Sequence, residues 1–207
     1  MIKLEFRRAS FILETMAATP TYDLILELFR VFDQKTDSVE RHRYKQDIIG
    51  HIHLLAEAER DALIYYIWGM VCYLAPPFSE ESTLDALDKF KTAVAKNGSL
   101  NMAHLYCGQC YLDLQLYQKA LEAYTRVDAI KLQRDFPLWR YVKWREQLGY
   151  CRYQLGQTHT AETVFTEVLG WYQRKGAAEL AHPSEMLSVL PVDHPIRQDM
   201  MALIAKH

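Results

Sequence analysis

The sequence predicts an all-α fold. Apolar residues recur three and four apart along most of the chain, the period of a helix with one buried face. Sustained strand-like alternation is absent. The central chain also repeats itself: Gly69, Gly108 and Gly149 are each followed by an Ala, an aromatic and a small or branched apolar residue. Those triplets are Ala86, Phe90, Ala93; Ala120, Tyr124, Val127; and Ala161, Phe165, Val168, with the same internal spacing each time.

Taken in order, the elements follow from caps and periodicity. A first helix is expected from about Pro20 to Phe32, with Thr19 as cap, Pro20 in the first turn and Leu24, Leu28, Val31 and Phe32 on the buried face. A second should begin near Asp37 and reach about Glu57, burying Ile48, Ile49, Ile52 and Leu55, so that the two pack as an antiparallel pair. After Gly176 the repeat pattern stops. A last helix is expected from Pro195 to about Lys206, carrying Ile196, Met200, Leu203 and Ile204, with residues 181–194 as the strap leading to it.

The segment 101–124 resembles a tetratricopeptide (TPR) repeat, with Gly108, Tyr111, Ala120 and Tyr124 in that family's register. The resemblance implies antiparallel helix pairs of about 34 residues, small residues where the helices touch, and stacking into a right-handed α-α superhelix. Here Gly69, Gly108 and Gly149 lie 39 and 41 residues apart, so extra residues must be held in the loop 75–82 and the connection 131–137. The family's tryptophan position holds Tyr65, His104 and Arg145. A single domain over residues 1–207 is expected: N-terminal helices over 1–58, three repeats over 59–175, and a strap and capping helix over 176–207.

Composition narrows the function. The chain has 207 residues, half of them apolar and 24% charged, with a net charge of −2, which makes no field drawing nucleic acid or anionic lipid. Glu14 interrupts any signal-peptide run after Phe11, and the uncharged stretch 62–78 is shorter than the roughly 20 residues of a spanning helix. A cytoplasmic, membrane-free protein with four reduced cysteines is expected. Cys107 and Cys110 have the spacing of a redox or metal pair, but no second pair exists and both fall inside a repeat helix, so they are expected in the core. His51 and His53, two apart on a helix, point about 200° away from each other and cannot share a metal. Neither metal nor cofactor is expected, and no catalytic motif stands out.

Segment 131–145 carries Lys131, Arg134, Arg140, Lys143 and Arg145 among Phe136, Trp139, Tyr141 and Trp144. That mixture suits either RNA or an acidic protein surface, or a helix with solvated cations. In the TPR family the first helix of each pair lines the concave face. Carried over residue by residue, ligand-facing positions fall at Leu63, Tyr66, Met70 and Tyr73; at Met102, Leu105, Gln109 and Leu112; and at Lys143, Glu146, Tyr150 and Tyr153. The Lys, Arg and Asn that family members use to grip chaperone tails are mostly missing. The resemblance therefore implies a non-enzymatic module holding an apolar helix or peptide of another protein, as an adaptor, secretion chaperone or toxin-neutralising immunity protein would. Arg140 and Arg145 would form a second, basic contact. An RNA-binding repeat protein is the alternative, and an enzyme whose site converges only in space is a further one.

Overall fold

The structure is a computed structural model that describes residues 20–206. Among the described residues there are eleven α-helices and no strand. They fall into two compact units, divided between Leu114 and Gln115.

The first unit is a run of five helices in which each packs on the next: α1 (Pro20–Gln34), α2 (Ser38–Leu54), α3 (Ala62–Leu74), α4 (Glu80–Lys96) and α5 (Asn101–Asp113). Helix α1 buries Tyr22, Ile25, Phe29 and Phe32, whereas Leu24 is exposed and Leu28 and Val31 are half-buried. The expected face was thus turned by part of a turn. Two apolar stripes overlap on this helix, and the one with two phenyl rings offers more area to bury. Tyr22 adds a hydrogen bond from its hydroxyl to Asp61 Oδ2 at 2.8 Å. Thr19, expected as the cap, lies outside the described residues.

Helix α2 starts where Asp37 accepts from the amides of Val39 and Glu40. It stops at Leu54, before the expected Glu57, because the Arg60 guanidinium takes the carbonyls of Ile52, His53 and Leu55 that a further turn would have used. Ile48, Ile52 and Leu55 are buried as expected, and Ile49 is half-buried. Helices α3 and α4 meet at Gly69, where an added Cβ would lie 2.6 Å from Cε1 of Phe90. Only a glycine admits that ring.

The second unit comprises α6 (Tyr117–Thr125), α7 (Ala129–Asp135), α8 (Leu138–Gln154), α9 (Thr158–Lys175), α10 (Ser184–Val189) and α11 (Pro195–Ile204). Helices α6, α7, α9 and α10 pack on α8, and α11 packs on α9. The connection expected at 131–137 is largely taken up by α7, capped by Asp128 accepting from Lys131 N and pinned by buried Leu132. Gly149 repeats the arrangement of Gly69, since its Cβ would fall 2.6 Å from Cε1 of Phe165. Gly176 ends α9 with φ 82°, a conformation that favours glycine. The strap beyond it is partly helical, and Met200 of α11 is fully buried in the core built by Val142, Phe165 and Val168.

All nine triplet residues are buried, eight of them with no exposed surface. Ala120→Leu is accordingly expected to lower stability by about 1–3 kcal/mol, because overpacking a close helix contact forces side chains off their rotamers. An unchanged denaturation midpoint would show that Ala120 does not sit at a close contact.

Candidate functional site

In the first unit, α3 and α5 carry eight of the positions carried over from the TPR resemblance. Five of them, Tyr66, Met70, Met102, Leu105 and Leu112, are buried. Tyr66 lies against Phe90 and Tyr106, with ring centroids 6.0 and 6.2 Å away, and so belongs to the packing of this unit. Leu63, Tyr73 and Gln109 are half-buried.

Tyr73 and Gln109 are drawn together by a residue the sequence reading missed. Asp113 accepts the Tyr73 hydroxyl on Oδ2 at 2.5 Å and the Gln109 amide on Oδ1 at 3.0 Å. The Tyr73 ring also meets Tyr106 edge-on at 5.9 Å. Burial, with the adjacent Asp113 carboxylate, raises the Tyr73 phenol above its ordinary pKa, so it stays a hydrogen-bond donor. Asp113 lies four residues after Gln109, so a helix neighbour was readable, but its reach to Tyr73, 40 residues earlier, was not.

In the second unit the outcome differs for two of the four α8 positions. Lys143 and Glu146, expected to face a partner, instead hold the chain's own strap. Lys143 Nζ donates to Glu146 Oε2 at 2.9 Å, to the His182 carbonyl at 3.0 Å, to Ser184 Oγ at 3.2 Å and to Glu185. Glu146 Oε1 accepts the Met186 amide at 3.0 Å. The reason is local, since Met186 and Leu187 insert into the core beside α8 and bring these polar groups with them. Tyr150 is half-buried and meets Tyr117 edge-on at 5.9 Å, and Tyr153 is half-buried against the core of this unit.

Burial pushes the Glu146 carboxyl up to about 7 despite the nearby Lys143 charge. Burial would raise Glu185 as well, but hydrogen bonding and charge from Lys143 hold it at about 2.

The basic segment is largely neutralised within the chain. Arg134 pairs with Asp135, Lys131 lies 3.7 Å from Asp128, Arg145 Nε donates to Glu167 at 3.1 Å, and Lys143 is held as above. Arg140 lies over Trp139 and Phe136, at 5.1 and 5.7 Å from the ring centroids. Trp144 is buried and donates its indole N–H to the Tyr124 carbonyl at 3.2 Å.

All four cysteines are free and buried. Burial pushes the thiols of Cys72 and Cys151 up to about 12, and Cys72 donates to Asp85 Oδ2 at 3.0 Å. Native protein is expected to leave all four unmodified by a thiol reagent at neutral pH, and to react fully once denatured. Rapid native labelling would refute their placement. Among the described residues no group of three His, Cys, Asp or Glu side chains is arranged to hold a metal ion, and no helix is long and apolar enough to cross a membrane.

No protein-family model matches the sequence, and no curated protein matches it. The structure is similar to the crystal structure of MamA protein, with a TM-score of 0.53 and 20% sequence identity over 76% of this chain and 78% of that one. MamA has a TPR-like helical repeat fold, and the likeness extends that fold to this chain.

Proposed function

We propose that this chain is a non-enzymatic protein-interaction module, built on three divergent TPR-like repeats over residues 59–175, that holds an apolar helix or peptide of a protein partner. The observation that carries the reading is Tyr73: half-buried, its hydroxyl held by Asp113, which also takes the amide of half-buried Gln109, and its ring set against Tyr106. A pre-ordered aromatic presents contact area with little rotamer entropy left to lose, which is the usual character of a binding anchor. Tyr150 and Tyr153 offer the same chemistry in the second unit. Such a module acts by occupancy, in the manner of an adaptor, a secretion chaperone or an immunity protein.

Two observations favour this reading over the others. RNA binding needs cations available to phosphate, and four of the five in 131–145 are already paired with carboxylates. An enzyme needs perturbed groups open to substrate, whereas Glu146 is buried beneath the strap and Glu185, on the strap, is bonded to Lys143.

The test is to isolate the partner by affinity purification from the native host and titrate it against variants. Tyr73→Ala and Tyr150→Ala should each weaken binding by about 2 kcal/mol, while Arg140→Ala with Arg145→Ala should act mainly on association rate and salt dependence. Normal affinity in a folded Tyr73→Ala, Tyr150→Ala double variant would remove these faces from consideration. A larger loss in the arginine variant, with affinity falling linearly on a log–log salt plot, would favour nucleic acid.

A further inference from the structure

Glu146 has 1% of its surface exposed, yet it shares its surroundings with a second carboxylate, Glu185, and a single ammonium, Lys143. With both carboxylates ionised the cluster carries one uncompensated negative charge under α10. With one proton bound it is neutral. Burying a net charge is far less favourable than burying a neutral, hydrogen-bonded set, so this asymmetry couples the packing of α10 to proton uptake.

The other groups facing the cluster do not supply a second cation. From α8 come the Cys151 thiol, which burial and the Glu185 charge keep protonated, and the Gln147 amide, which donates to Glu185 Oε1 at 3.4 Å and accepts the Tyr124 hydroxyl of α6 at 3.0 Å. From the strap come the His182 carbonyl, the Ser184 hydroxyl and the Met186 amide. From α9 comes the Tyr172 phenol, which burial and the two carboxylates keep protonated and which donates to the Ala181 carbonyl.

We propose that Lys143, Glu146 and Glu185 form a proton-gated latch fastening α10 to α8, closed most firmly when Glu146 carries a proton and loosened when it does not. Loosening would uncover Lys143 and Gln147 on α8, so the latch sets how much of that helix is open to other contacts. The inference stands apart from the protein-binding reading.

The sign follows from linkage. Glu146 is raised from 4.5 to about 7 in the folded chain, so its contribution is fully present below its unfolded value and is lost as pH rises through about 7. Glu185 is lowered to about 2, so its contribution is lost only on strong acidification and is flat between pH 5.5 and 8. Over that interval the opening equilibrium of α10 should rise about ten- to thirty-fold.

Hydrogen exchange of the Ser184–Val189 amides, corrected for intrinsic rates, measures this on the full chain. In wild type, protection should fall by that factor between about pH 5.5 and pH 8, and in Glu146→Gln the fall should disappear because the side chain no longer titrates. Equal pH profiles in the two proteins, or constant wild-type protection, would overturn the latch. Should Glu146→Gln fail to fold, carboxyl-carbon NMR of wild type decides: a Glu146 titration near neutrality supports the latch, and one in the ordinary carboxylate range refutes it.

Discussion

Lys143→Met is expected to lower folding stability by about 3–5 kcal/mol near neutral pH, because removing one partner from a buried ionic cluster leaves the remaining charges uncompensated. Two carboxylates would then face each other, one with 1% and one with 21% of its side chain exposed. The value should fall toward the lower end of that range, since the Lys143 side chain itself is 19% exposed. Without the ammonium, both carboxyls take up protons more readily. The deficit should therefore shrink as pH is lowered from about 7.5 to about 5. Glu185→Leu combined with Lys143→Met should lose less than Lys143→Met alone, because it removes the second carboxylate along with the cation. Chemical denaturation at the two pH values checks both statements, and a deficit independent of pH would show that Lys143 acts through packing of its stem.

Phe165→Ala should be about as severe, again at about 3–5 kcal/mol, because it deletes a fully buried ring whose neighbours cannot collapse into the space. The ring rests on Gly149, whose missing side chain is what admits it. Gly149→Ala should destabilise by forcing that ring aside, since the new methyl would lie at 2.6 and 2.9 Å from two ring carbons. The two changes are therefore coupled. Gly149→Ala combined with Phe165→Leu should cost less than the sum of its parts, as contacting residues do in a double-mutant cycle. Strict additivity, measured by denaturant midpoints, would mean that glycine and ring are not in the register described.

Much of the fold was legible because its signals are local. Asp37, Asp61, Ser79 and Asp128 accept hydrogen bonds from amides in the first turn of the helices they precede, and Gly176 ends α9 with positive φ. The Ala–aromatic–small triplets are buried because helical spacing places all three on one face. The candidate site was legible only in part. TPR register pointed to Tyr73 and Gln109 but not to Asp113, and it assigned Lys143 and Glu146 to a partner when the chain itself takes them.

By itself the sequence determined that the chain is helical, where several helices start and which small residues let them meet, since caps and periodicity depend on neighbours a few residues away. Only tertiary structure decided which of two overlapping stripes α1 buries, and which groups Lys143 and Glu146 bond. Both depend on residues about 40 positions distant: Asp61 for Tyr22, and the strap at 182–186 for α8. Periodicity says that a face will be covered. What covers it is settled by the path of the chain, which brings apolar Met186 and Leu187 into the core and the charges of Glu185 along with them.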